Sequence, residues 1–227
     1  MNDYSESLGW PIKDPGWIGK IIVQGLIYLI PIVGWMALYG WMLAALDNLR
    51  QGRRELPAAG FGHLGRGVTL FLVLIVYGLA IAVVFCIFLF IGFALIAAGS
   101  NSNSGVLSAL GVILTLFAYL LAFIASLAFY FLIAPVIVAT ERGGFGGGLN
   151  IMQVVAMART NLQASIFAGL FILVGHLIGS LGGILCGIGI ILTVAYGFAV
   201  MAGVVSIYER QLGQQPLPPL QPAAPAV

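Results

Sequence analysis

Apolar residues dominate three long stretches that contain no Asp, Glu, Lys or Arg: Ile21–Leu46, Gly67–Thr140 and Thr160–Tyr208, of 26, 74 and 49 residues. A helix needs only about 20 consecutive apolar residues to cross a bilayer, so the two longer stretches each hold two crossings. The polar island Gly99–Gly105 (GSNSNSG) divides the 74-residue stretch into spans over 67–98 and 106–139. The 49-residue stretch has no such marker. Its turn is placed at Gly182-Gly183 or Gly187–Gly189, which gives spans over 162–181 and 184–208. With a first element over 18–46, the pattern predicts an all-α, polytopic integral membrane bundle of about five transmembrane helices.

The first element allows two readings, because Pro31 and Gly34 interrupt it. As one kinked helix it would be about 40 Å long, enough to span with tilt. Alternatively, Pro31-Ile32-Val33-Gly34 is the apex of a re-entrant hairpin with two short arms. The single kinked span is the preferred reading.

Residues 1–17 read as an interfacial segment: Trp10 and Trp17 flank Lys13 and Asp14, and amphipathic rings favour the headgroup layer. Pro11 and Pro15 prevent a long helix there. The acidic residues and the length of the apolar run that follows argue for a retained segment rather than a cleaved signal. Asp47–Arg66 is the main polar loop. Thr140–Asn161 is the second, and it includes a short interfacial helix over Leu149–Thr160 with Ile151, Val154, Val155 and Ala158 on its apolar side. Residues 209–227 hold five of the ten prolines and read as a disordered tail.

Composition sharpens the class. Charged residues make up 7% of the 227 residues, against about 25% in an ordinary soluble domain. A net charge of +2 with no basic stretch argues against a nucleic-acid partner, so the expected partner is the lipid bilayer. With five crossings, Arg50, Arg53, Arg54, Arg66, Arg142, Arg159 and Arg210 lie on one side, against Lys13 and Lys20 on the other. The richer side is expected to be cytoplasmic. That puts loops 47–66 and 140–161 and the C-terminus inside the cell membrane's cytoplasmic face. A re-entrant first element would gather all nine cations on that side, so charge favours the hairpin that helix length ranks second.

Catalytic chemistry is sparse. No metal, nucleophile or nucleotide motif is present, so no cofactor or catalytic residue is assigned and an enzyme is not expected. Cys86 and Cys186 lie inside apolar runs and read as inert buried thiols. Gly143 and Gly148 have phosphate-loop spacing but lack the following lysine, so they read as a flexible connector. His176 stands out as the one ionisable side chain within the spans, Tyr and Cys apart. Intramembrane ionisable residues are functional candidates by default. It reads as a proton-relay or ligand contact, or else as a neutral imidazole bonded to a neighbouring helix or displaced towards the interface. The lack of a membrane carboxylate partner favours the second.

Gly175, Gly179, Gly183 and Gly187 recur every four residues and would form a smooth ridge for helix packing or homo-oligomerisation. Arg50, Arg53, Arg54, Arg66 and Arg142 are candidates for anionic lipid headgroup contacts, with topology-fixing charges as the simpler reading. The four tryptophans read as belt anchors and packing residues.

The strings W-P-I-K-D-P-G-W-I-G-K (10–20), L-I-P-I-V-G-W (29–35), L-Y-G-W-M-L (38–43), E-L-P (55–57) and G-V-T-L-F-L (67–72) carry a resemblance. The chain is similar over residues 10–80 to a bacterial and archaeal family of multi-pass membrane proteins classed as a domain of unknown function. Members often carry acidic and aromatic residues after the Leu-Pro, where this chain has Ala58-Ala59-Gly60. The resemblance implies the membrane class and brings no substrate or activity. The leading functional expectation is a non-catalytic accessory or scaffold subunit of a membrane complex. The alternative is a small oligomeric transporter or channel, with a site near the first-span break and a polar cavity involving Ser126, Thr115, Gln24 or His176.

Overall fold

The computed structural model describes residues 2–184 and 188–213, all of whose regular elements are helical. A short α1 (Asn2–Gly9) leads through one 3-10 turn (Trp10–Lys13) into α2 (Trp17–Tyr28) and α3 (Val33–Arg50). Then come α4 (Leu64–Asn101), α5 (Gly105–Leu149), α6 (Ile151–Thr160), α7 (Leu162–Ile184) and α8 (Ile188–Gly213). Four segments are long and apolar enough to cross a membrane: Leu64–Asn101, Gly105–Leu149, Leu162–Ser180 and Gly189–Gly213. The chain is thus an all-helical membrane protein. The turn between α7 and α8, Cys186, Gly187 and the tail from residue 214 onward lie outside the described residues.

Ile18–Leu46 is two helices and not one kinked rod. The Lys20 Nζ near the start of α2 donates to the carbonyl of Leu56, beyond the end of α3, at 2.7 Å. One turn further along α2, Gln24 Oε1 accepts from the Gly60 amide at 3.0 Å. The start of α2 and the end of α3 therefore share one end of the bundle, and the segment doubles back at Leu29–Ile32. Twelve residues of α2 reach only about 18 Å, roughly half the hydrocarbon thickness of about 30 Å.

The reversal is sharp. Ile32 has φ 65° and ψ −61°, and the Val33 amide donates to the Pro31 carbonyl at 2.7 Å, which together make a strained γ-turn. Gly34 permits the close return, since a Cβ there would stand 2.2 Å from the Ile27 carbonyl oxygen. Pro31 suits the tip because it has no N–H to satisfy in an apolar setting.

With this reversal, Lys13, Lys20 and all seven arginines fall at one end of the bundle. Ion pairs join Arg54 to Glu6, Lys20 to Asp14, and Arg50 to Glu141 and Glu209. The Ser165–Tyr208 hydroxyl contact brings the start of α7, and Arg159 before it, to the same end.

The N-terminal segment packs into the bundle. Trp10 is buried and donates its indole N–H to the Ala199 carbonyl of α8 at 2.9 Å, so it is no belt anchor. Tyr4 is buried, bonds Gln211 Oε1 at 2.9 Å and stacks on Phe171 of α7. Trp41 is likewise buried and bonds the Pro57 carbonyl at 3.1 Å, whereas Trp35 is exposed.

The hairpin α4–α5 is the longest feature. Its helices have 38 and 45 residues, so α4 alone is about 57 Å long, nearly twice the hydrocarbon thickness. Gly92, Gly99 and Gly111 let the two backbones meet; a Cβ on Gly111 would stand 2.6 Å from the Gly92 carbonyl oxygen. The outer faces of this arm are apolar and exposed, with Phe90, Phe93, Leu116 and Phe123 among the most open. Cys86 is exposed on it rather than buried.

The second polar segment is largely helical. Helix α5 runs on through Arg142, breaks at Gly144 (φ 62°, ψ −153°) and folds back towards Thr140. Asn150 then caps α6 by accepting from the Gln153 amide at 3.1 Å. In α6, Val154, Met157 and Ala158 are buried, while Ile151 and Met152 are exposed.

A membrane cavity and a charged end

Two features gather the side chains with chemical potential. The first is a half-open cavity of about 710 Å³ in the side of the bundle. Residues of six helices, α2, α3, α4, α5, α7 and α8, form its wall. Tyr28 and Trp35, on either side of the break, stack with ring centres 6.3 Å apart and both line it. From α5 come Ser126 and Tyr130; from α7 come His176 and Ser180. The His176 ring meets Tyr130 edge-on at 5.7 Å.

His176 is exposed to this space and shows no hydrogen bond among the described residues. Its contact with α5 is aromatic. The lining is otherwise apolar, and no Asp, Glu, Lys or Arg belongs to it. A concave, mostly apolar space with a few convergent polar groups is the usual form of a small-molecule site.

Of the polar residues singled out in the sequence, Ser126 and His176 come together here. Thr115 lies further up the arm and bonds the Gly111 carbonyl of its own helix at 2.9 Å. Gln24 is buried against Gly60, with its Nε2 unpartnered among the described residues, and is not part of the lining. Gly175, Gly179 and Gly183 all line the cavity, and the first two are buried against α8, where a Cβ would meet Gly197 and Thr193 carbonyl oxygens at 3.5 and 3.8 Å. Gly175 and Gly179 thus face the chain's own interior, whereas Gly183 is exposed. Tyr130 escaped the sequence reading because tyrosines had been set aside with the apolar residues of the spans.

The second feature is the charged end. Arg50 on α3 donates to both carboxylate oxygens of Glu209 on α8, at 2.8 and 2.6 Å, and to Asp47 at 2.7 Å. Arg66 on α4 pairs with Asp47 and with Glu141 on α5. Two arginines and three carboxylates therefore tie four helices together. Burial would raise the Asp47 carboxyl, but the Arg66 and Arg50 guanidiniums outweigh it and hold the group below its usual range. Arg54 pairs with Glu6 at 2.8 Å, Arg53 bonds Gln51, and Arg142 and Arg159 are exposed. An i,i+3 spacing of Asp47 and Arg50 was the available signal for this network; the cross-helix partners had none.

Beside it lies a clamp on the polar loop. Asp14 accepts from the amides of Gly16 and Leu56, both at 2.8 Å, and from Lys20 Nζ at 2.7 Å. Lys20 also holds the Leu56 carbonyl, so both backbone groups of Leu56 are taken. Asp14 is almost fully buried. Its burial favours the neutral acid, yet the Lys20 ammonium and the two amides prevail and lower its pKa.

Residues 23–188 match the family described as a protein of unknown function (DUF4013). The chain belongs to this family. No curated protein and no solved structure matches it. The DUF4013 match begins within α2 and ends at the start of α8, so it takes in the reversal, the arm and His176. The Trp-Pro string, Asp14, Lys20 and Glu209 lie outside it.

Proposed function

We propose that the protein binds an amphipathic small molecule within the bilayer and acts as a small transporter or carrier of it. The observation that supports this reading is the cavity that joins the α2–α3 break to His176. Broken helices beside a mid-membrane site are a recurring device of transporters, and backbone strain such as that at Ile32 concentrates at functional sites. A largely apolar wall suits a long apolar body. His176, Tyr130, Ser126 and Ser180 suit a neutral head that exchanges hydrogen bonds, and the lack of charged lining disfavours an ion. The nine cations gathered at the charged end favour a cytoplasmic side for it.

Glycines at the wall provide the test. A Cβ at Gly78 or Gly183 meets nothing within 4 Å, and both residues line the cavity. Gly78→Phe and Gly183→Phe should fill the space without breaking a packed contact. Saturable binding of a pyrene-labelled long-chain alcohol to the purified protein, lost in these variants at unchanged Tm, is the expected result. Partition no different from that of empty micelles would overturn the reading.

A second reading, the accessory or scaffold subunit, draws on the α4–α5 arm. Its exposed apolar faces extend well beyond the part that α3, α7 and α8 cover. Stoichiometric co-purification of another membrane protein that is lost on deletion of residues 82–121 would favour it.

A further inference from the structure

We propose that a recess at the charged end, separate from the membrane cavity, binds a phosphate group such as that of a phospholipid headgroup. The recess has a volume of about 310 Å³ and lies between α1, α8 and the loop after α3. Trp10, Gly203 and Ile207 form its apolar base, and Glu6, Arg54, Arg210 and Gln211 form its polar rim.

Its free hydrogen-bonding capacity is mostly for donation. Gln211 Oε1 is committed to the Tyr4 hydroxyl, which leaves the amide N–H groups to donate. Ser7 gives its hydroxyl proton to the Tyr4 carbonyl, so its oxygen can only accept and does not contribute a donor. Among the described residues Arg210 bonds Ser206 Oγ at 3.2 Å, and Arg54 pairs through one nitrogen with Glu6 at 2.8 Å. Guanidinium groups present five donors in a planar fork that matches phosphate oxygens.

Glu6 is the opposing charge, and it is shared between Arg54 and Lys13. An entering phosphate would compete with Glu6 for Arg54. The site lies at the end where the cations gather, with an apolar floor beneath it for the start of an acyl chain.

Native mass spectrometry of the full-length protein in detergent, titrated with phosphatidylglycerol, provides the test. The wild type should retain the lipid and the Arg54→Gln/Arg210→Gln variant about tenfold less. Arg53→Gln, outside the recess, should match the wild type. Glu6→Gln should bind more tightly, an effect that loss of fold would not produce. Diacylglycerol, which lacks the phosphate, should show no retention that depends on Arg54 and Arg210. Displacement by millimolar inorganic phosphate would identify a free phosphate as a sufficient ligand; arginine-dependent retention that resists it would identify the lipid. Equal retention of phosphatidylglycerol by the double variant and the wild type, or arginine-dependent retention of diacylglycerol, would overturn the proposal, as would weaker binding by Glu6→Gln.

Discussion

The indole of Trp10 fills the place that a side chain at Gly203 would occupy. A Cβ on Gly203 would stand 2.7 Å from both Cδ1 and Nε1 of the ring. Gly203 is also four residues beyond Ala199, so its missing side chain uncovers the carbonyl that Trp10 bonds. Gly203→Ala should therefore destabilise by about 1–3 kcal/mol, the usual effect of overpacking. Gly203→Leu should expel the ring and free the N-terminal segment, seen as rapid protease cleavage before Trp17. Cleavage as slow as in the wild type would count against this docking.

Asp14 should matter more than any surface carboxylate. Lys20 keeps about 30% of its side chain exposed, so losing the pair costs less than the ~3–5 kcal/mol of a fully buried one, but Asp14→Ala also strands the Leu56 amide. Its folded pKa is lowered, so its contribution is present above the unfolded carboxyl value of about 3.9. It is lost as pH falls through the lower folded value. Melting curves between pH 6 and 3 should show the wild type losing an advantage over Asp14→Asn. Parallel curves would contradict the clamp.

The apolar runs made the membrane class and the long helices legible, because a run without charge has few other uses. The α2–α3 reversal was half legible. Pro31 and Gly34 marked the break, but length alone allowed a kinked rod, and only the cation count pointed to a hairpin. The clamp lay in plain view in the K-D-P-G-W-I-G-K and E-L-P strings, yet nothing in either string says that Asp14 and Leu56 meet. His176 was visible because an ionisable residue in an apolar run is conspicuous. Its neighbours Tyr28 and Trp35 are ordinary membrane residues, and tertiary packing alone brings them to the same cavity.

Arg50 should be a structural cation and Arg53 a dispensable one. Arg50 reaches two carboxylates on other helices, Glu209 and Glu141, and charge-assisted bonds of this kind are each worth about 1.5–3 kcal/mol. Its side chain is about one-third exposed, so the lower part of that range applies, and added salt should weaken it. Arg50→Gln should lower Tm in low salt and less so in high salt. Arg53→Gln should change stability by less than about 0.5 kcal/mol. Equal effects of the two would remove the network from the account.

Glycines that look alike in the sequence should separate sharply on substitution. Gly25 sits where α2 crosses α8, and a Cβ there would lie 1.8 Å from the Ile191 carbonyl oxygen. Backbone cannot yield as a side-chain tip does, so Gly25→Ala must push the two helices apart. At Gly175 and Gly179 the nearest atoms are 3.5 and 3.8 Å away, which is ordinary contact distance. Alanine fits there, and it gains about 1 kcal/mol of helix propensity over glycine. Gly175→Ala and Gly179→Ala should therefore keep or raise Tm in detergent, whereas Gly25→Ala should lower it by several degrees. If the stripe at 175 and 179 instead served tight backbone contact with another copy of the chain, alanine there would be as damaging as at Gly25, and crosslinked oligomers would disappear with it.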